Sequence, residues 1–363
     1  IVVRNARIVD PEGEYVECGH IIHADGCIVA PGLIDFHTHI FHEGSGSAIR
    51  PDFMISQGTT AAVDAGTAGT VTYESFYKSV IAQSTVRIKG FLTTYSGGQL
   101  DFKLCEDFNP ELINLARMER VIDKYRDNIL GLKIRLSKGV VPDDKALDYL
   151  KRVIELADEL DERLGTSLRV CVHTTNSPIP ASELADCLRP GDIFCHCFQG
   201  AGNTIIMENG QIWPGILEAR KRGVIFDAAN GRGNFGAATA KQALKAGFLP
   251  DIISTDLTID KYNIPPYTKN LPSVMAKYMT MGMNLMDVLN TVTAAPAKIM
   301  GMEGKIGTLQ PGADADIVIL KEKQLSFIQK DFKDEELVSN ALLVPQLTMC
   351  AGEINFCQAD FFL

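Results

Sequence analysis

Through the middle of the chain, short apolar runs alternate with segments whose apolar residues recur at helical spacing. The runs fall at 33–37, 59–64, 87–94, 129–136, 167–173, 192–197, 223–228 and 252–256. The clearest amphipathic segment spans 143–164, with acidic Asp143 and Asp144 at its start and Leu147, Leu150, Ile154 and Ala157 on one face. A second, at 110–125, carries Leu112, Leu115, Met118 and Ile122. Strand–helix alternation predicts an α/β protein with a parallel sheet. Eight strands in about 225 residues fit a (β/α)8 TIM barrel, which takes ~250 residues; a doubly wound open sheet is the alternative.

The ends of the chain read differently. Residues 1–30 hold short strand-like pieces, Ile1-Val2-Val3 and Ala6-Arg7-Ile8-Val9, and 306–320 is turn chemistry followed by a strand. The pattern predicts a small β-domain built from both termini, 1–30 plus 305–363, around a barrel at 31–304.

Composition narrows the function classes. The 363 residues are 46% hydrophobic and 22% charged, as in an ordinary soluble globular protein. Net charge is −10 with no basic stripe, so nucleic acid is not expected as a partner. No stretch is long and apolar enough to span a bilayer. Nine cysteines without a secretory context read as reduced thiols in a cytoplasmic enzyme. The expected partner is a small-molecule substrate, and a homo-oligomer is left open. The first residue is Ile1 rather than methionine, so the natural N-terminus is expected to lie outside the chain.

The chemistry lies at the strand ends. His37 and His39 alternate at the close of the run 33–37, so they share a face of one strand. His173 and His196 close two further runs. Active sites of these barrels sit at the carboxyl ends of the strands, so four imidazoles would meet at one rim and suit a transition metal such as zinc. Lys133 interrupts an apolar fourth strand. Burial favours a neutral amine, which can take up carbon dioxide as a carbamate; pairing with an acid is the alternative. Asp256 closes the eighth run, as a ligand or as a helix cap.

Together these residues resemble the amidohydrolase superfamily, in its binuclear subtype with a carboxylated lysine. The resemblance extends to Ala30-Pro31-Gly32-Leu33-Ile34-Asp35, Thr293-Ala294-Ala295-Pro296-Ala297 and Gly312-Ala313-Asp314-Ala315-Asp316. Val63-Asp64-Ala65-Gly66-Thr67-Ala68-Gly69, His196-Cys197-Phe198-Gln199-Gly200 and Ile253-Ser254-Thr255-Asp256-Leu257 are similar to a dihydroorotase-like amidohydrolase/deacetylase group. The segment before His37 is short for the family. The resemblance implies two divalent cations, zinc by expectation. One would be held by His37, His39, Lys133 and Asp256, the other by Lys133, His173 and His196, with carbon dioxide as carbamate on Lys133. It implies hydrolysis of an amide or ester by a metal-bridging hydroxide, with Asp256 as proton shuttle.

Substrate contacts follow from position. Arg135, two residues beyond Lys133, shares its face and is the expected carboxylate anchor, with a salt bridge to a loop acid as the alternative. His42 stands just past the first motif. Residues 231–236 read G-x-G-x-x-G, but their place late in the chain, among candidate ligands, argues against a dinucleotide site and the oxidoreductase it would imply. Gly231, Arg232 and Gly233 are read instead as an active-site loop that cradles an anionic group. Cys195 and Cys197 flank His196 and are expected to face the helices, and Cys171 to pack in the barrel. The substrate is expected to be small and anionic and the activity deacetylase-like. The alternatives are a cyclic-amide hydrolase, a nucleobase deaminase and a non-catalytic scaffold. Phe41 stands where dihydroorotases carry an arginine, which argues against that activity, and Lys133 argues against a mononuclear deaminase.

Overall fold

The computed structural model describes all residues except 11–17, 102–103, 105, 232, 261, 263–269 and 362–363. Three strands come first: β1 (Val2–Arg4) and β2 (Arg7–Val9) form a hairpin, and β3 (Ile28–Pro31) joins a different sheet. Seven parallel strands follow, β4 (Leu33–Thr38), β5 (Thr59–Asp64), β6 (Arg87–Thr93), β7 (Ile129–Arg135), β8 (Arg169–His173), β9 (Ile193–Cys195) and β10 (Ile225–Asp227). Each pairs with the next in chain order, as strand–helix alternation demands. β4 and β5 are buried along their whole length because both sheet faces are covered. Ile34, Phe36, Ala61, Val63, Phe91, Cys171, Ile193, Cys195 and Ile252 fill the inside of the curled sheet. Leu33, Ala62, Leu132, Val170, Val172 and Phe194 face the helices.

The fold is the (β/α)8 barrel, with one departure from the sequence reading. The run 252–256 is not a laddered strand. It closes the ring through single parallel bridges, Ile252 to Asp227 and Leu257 to Thr38. Asp256 N donates to His37 O (2.7 Å) and His39 N to Leu257 O (3.1 Å). The amide of Thr255 turns instead to the Asp35 carboxylate (3.0 Å), and its hydroxyl donates to the same group (2.7 Å). A side chain thus replaces one rung of the ladder, and Asp256 beyond it takes a left-handed conformation (φ 50°).

The antiparallel sheet draws on both ends of the chain. β3 pairs with β11 (Ile317–Lys330), which pairs with β12 (Glu336–Cys350), which pairs with β13 (Glu353–Cys357). One residue, Gly32, separates β3 from β4. A Cβ there would fall 2.2 Å from Thr60 Oγ1, so only glycine lets the chain cross from sheet to barrel. The β11–β12 hairpin is far longer than the strand legible at 316–320 because its outer half, Lys321-Glu322-Lys323-Gln324, is exposed and polar. That half carries the tip 331–335 over to the barrel.

Helix Ala146–Leu164 ends on Gly165 in the left-handed region (φ 62°). The segment 110–125 is not one helix. Pro110–Leu112 is a 3-10 turn, and Asn114 accepts from Arg117 N to start Leu115–Lys124. Helix Leu271–Thr280 is buried along most of its length and carries Lys277, 1% exposed, with Nζ 4.2 Å above the Phe235 ring. Burial pushes its pKa down to about 7, and the Asp331 carboxylate only partly opposes this. A lysine depressed in the folded state destabilises fully below that value, and the penalty lifts as pH rises toward the ordinary lysine range. Lys277→Met should therefore stabilise the protein by ~1–3 kcal/mol at pH 6, with the gain shrinking to near zero by about pH 10, as read from urea melts across pH. A gain that does not change with pH would contradict this.

Candidate metal centre

A cavity of about 280 Å³ opens at the carboxyl ends of the barrel strands, lined by His37, His39, Lys133, Arg135, His173 and Asp256 among others. His37 enters it through a shift in the β4–β5 register between Asp35 and Thr38, which lets Phe36 pack inside the barrel and His37, one residue on, face the cavity. His37 Nδ1 is fixed by Asp227 Oδ2 at 2.8 Å and His39 Nδ1 by Thr67 Oγ1 at 2.8 Å. Their Nε2 atoms then face Asp256 Oδ1, at 3.8 and 3.4 Å. These three residues bring their ligand atoms within 4.8 Å of one another.

A second imidazole pair stands beside the first. His196 Nδ1 donates to Ala229 O (2.9 Å), which leaves Nε2 to meet His173 Nδ1 at 2.9 Å. The His37 and His196 rings lie 5.0 Å apart. Burial lowers the pKa of both members of the pair, His196 to about 3, so both imidazoles are neutral and can donate lone pairs to a metal. His196 has φ 58°, like Asp256 a non-glycine residue held in the left-handed region at the rim.

Lys133 lies beneath these groups, 5% exposed, with Gly66 packed so closely that a Cβ there would fall 2.6 Å from Lys133 Cβ. Its Nζ contacts sulfur, Cys171 Sγ at 3.5 Å and Cys195 Sγ at 3.9 Å. Burial disfavours the charge, but Cys171, Cys195, Asp256 and Asp227 outweigh it and raise the pKa above the lysine range. Cys195 was expected to face the helices and does not. It belongs to the barrel interior, 3.2 Å from Cys171 Sγ, because the left-handed turn at His196 breaks the alternation that the sequence reading assumed. Cys197 does face the helix-side core.

The remaining expected residues divide. Arg135 lines the cavity but its Nη1 donates to Glu106 Oε2 at 2.7 Å, the salt bridge to a loop acid that was its alternative reading. Gly231 lies against Asp256, where a Cβ would fall 1.8 Å from Oδ2, and Gly233 lines the cavity. Arg232 lies outside the described residues. His42 is not among the cavity-lining residues and pairs with Glu43 at 3.3 Å. Phe41 is buried against Phe76 in the helix-side core.

Sequence reasoning missed the residues that hold the candidate ligands in place. Asp64 accepts from Ile40 N (2.9 Å), Gly66 N (3.1 Å) and Thr67 N (2.6 Å), so one carboxylate ties the His37–His39 segment to the next loop. Asp227 is bonded to Ser254 Oγ as well as to His37, and burial raises its pKa to about 6. Asn234 Nδ2 donates to Asp256 Oδ2 at 2.6 Å. Asp64 sits in the 63–69 motif, Asn234 in the glycine-rich loop 231–236, and Asp227 ends a strand, so position marked all three but not their partners.

Imidazoles whose far nitrogen is tied to a carboxylate, hydroxyl or carbonyl are the arrangement that metal ligation needs, and the donor set fits divalent cations. The fold and this rim define a barrel hydrolase. A model of the amidohydrolase family matches residues 28–354, and the chain belongs to that family and is a hydrolase acting on C–N bonds. It is 30% identical to a deacetylase of Agrobacterium fabrum over 306 residues, 82% of this chain and 71% of that protein. Among solved structures it is similar to an adenine deaminase (TM-score 0.88, 25% identity, 98% of this chain and 95% of that one). It is also similar to a dihydroorotase (TM-score 0.84, 25% identity, 98% and 91%).

Asp227→Asn should keep the fold but misorient the His37 ring. Zinc affinity, measured by chelator competition, should fall ~10–100-fold. Unchanged affinity would show that Asp227 does not orient His37.

Proposed function

We propose that this chain is a metal-dependent hydrolase that cleaves an amide or ester bond of a small anionic substrate, with deacetylation as the leading activity. The observation that carries the reading is the convergence of two imidazole pairs on Asp256 and Lys133 at one cavity. The deacetylase named among its relatives supports the acyl group.

In this reading His37 Nε2, His39 Nε2 and Asp256 Oδ1 hold one divalent cation, and His173 Nδ1 and His196 Nε2 a second, zinc in both cases. Lys133, as a carbamate formed from its amine and carbon dioxide, joins the two sets. When bound, the cations supply Lewis acidity toward a carbonyl oxygen and lower the pKa of water. Asp256 takes the proton from the attacking water and returns it to the leaving amine or alkoxide. Arg135 binds the substrate carboxylate, and Glu106 orients its guanidinium. Gly231 and Gly233 offer backbone donors to the anion. Asp227, Thr67 and Ala229 keep the three imidazoles they bond in the ligating tautomer.

A deaminase reading draws on the likeness to adenine deaminase. A screen of zinc-loaded enzyme separates the two: N-acetyl amino acids and acetylated hydroxy acids on one side, adenine and dihydroorotate on the other. The proposal expects hydrolysis of the acetylated acids. Asp256→Asn should lower kcat on them ~100-fold or more while keeping most of the zinc. Turnover of adenine alone, or near-normal kcat in Asp256→Asn, would contradict it.

A further inference from the structure

The loop 229–236 touches the metal centre on one side and the tip of a distant hairpin on the other. Toward the centre, Ala229 O accepts from His196 Nδ1, Gly231 packs on the Asp256 carboxylate, and Asn234 Nδ2 donates to Asp256 Oδ2. On the far side, Phe332 N donates to Phe235 O at 3.0 Å. The Phe332 ring packs over Gly200 and over Gly236 of the loop, where a Cβ would fall 2.4 and 3.4 Å from it, and a Cβ on Gly236 would also fall 2.9 Å from the Gly200 Cα.

Asp331, at the same tip, is 3% exposed. Its Oδ2 accepts from Ala237 N (3.0 Å), the first residue of helix Ala237–Lys245. That helix has Gly236 at its N-cap, so no local side chain can cap it, and a carboxylate from the hairpin does. Asp331 Oδ1 accepts from Lys333 N (2.8 Å) and Glu335 N (2.9 Å), which fixes the tip itself, and Lys241 Nζ pairs with Glu335 at 2.9 Å. Leu337 and Ser339, just past the tip, are buried against the barrel helices, with Thr280 Oγ1 donating to Ser339 Oγ at 2.9 Å. The hairpin is therefore docked into the barrel, and its docked end is bonded to the loop that reaches Asp256.

We propose that the 331–335 tip braces the 229–236 loop, and that Asn234 is a positioning residue holding Asp256 Oδ2 so that Oδ1 faces His37 and His39. The role given to Asn234 rests on the proton-shuttle reading of Asp256; the brace does not. The terminal torsion of a carboxylate is broad, so a fixed donor on one oxygen sets the plane of the group and with it the aim of the other oxygen at the imidazoles. Asn234 supplies a half-buried donor whose own position depends on the loop, and the described residues of the loop form a turn at Gly233–Asn234 but no helix or strand to hold it.

Hydrogen–deuterium exchange on the full chain tests the brace. In Asp331→Ala, exchange across 229–240 should be ~10-fold faster or more, with Arg169–His173 unchanged. Phe332→Ala, which keeps the helix cap, should act in the same direction and covers the case in which Asp331→Ala fails to fold. Unaltered exchange across 229–240 in folded variants overturns the brace. For Asn234, cobalt(II)-loaded Asn234→Ala should show an altered d–d absorption spectrum at wild-type cobalt content. It should also lose ~10–100-fold in kcat on p-nitroacetanilide, whose amine needs a proton, but less than ~3-fold on p-nitrophenyl acetate. An unaltered cobalt spectrum, or equal losses on the two compounds, overturns the role of Asn234. Asp256→Asn is the control. If it too ignores the leaving group, the proton-shuttle reading has failed, and the cobalt and exchange results still decide the positioning and the brace.

Discussion

Three of the four rim imidazoles have one ring nitrogen tied to a partner outside the imidazole cluster, His37 by Asp227, His39 by Thr67 and His196 by Ala229 O. An imidazole bonded on one side can only present the other, so these contacts decide which nitrogens meet in the cavity. They also fix the supporting structure. Asp227 must end β10, Thr67 must follow the turn that Asp64 organises, and Ala229 must carry its carbonyl inward with φ 36°. Left-handed conformations at Ala229, His196 and Asp256 cost on the order of 1–3 kcal/mol each, and the surrounding packing has to offset them. Strain gathered at the rim, with regular strands below it, is how a stable barrel can hold a demanding site.

The same logic explains how the ring closes. Asp35 takes the Thr255 amide and hydroxyl, and burial lifts its pKa to about 7. That contact displaces a ladder rung just where the chain must turn to bring Asp256 under His39. Lys133 is a cation buried in this cluster, and its Nζ donates to thiols. Its raised pKa, set against burial by Cys171 and Cys195 and then by Asp256 and Asp227, favours the ammonium. Cations at the histidines would reverse that field and favour the neutral amine from which a carbamate forms.

Much of this was legible in the sequence, for reasons that can be named. The apolar run placed His37 and His39 together at the end of one strand, although a register shift rather than strict alternation turns His37 to the cavity, and strand ends marked His173, His196 and Asp256 before any contact was known. Alternation failed where the backbone left the strand region. Cys195 turned inward beside a left-handed His196, and 252–256 became a set of single bridges. The outer half of the β11–β12 hairpin was invisible because exposed strands of lysine, glutamate and glutamine carry no apolar period. Glu106, Asp35 and Asn234 act across long sequence separations, and nothing local to them marks a partner. The helix expected at 110–125 broke because Asn114 offers a better start than Pro110.

All of the proposed chemistry turns on whether the two imidazole pairs and Lys133 form one binuclear centre. The direct measurement is anomalous diffraction at the zinc edge from crystals grown with zinc and bicarbonate. The account predicts two zinc peaks, one at His37, His39 and Asp256 and one at His173 and His196, with three extra heavy atoms on Lys133 Nζ reaching both. A single peak, or a bare Lys133 ammonium still resting on Cys171 and Cys195 in the zinc-loaded crystal, would contradict it.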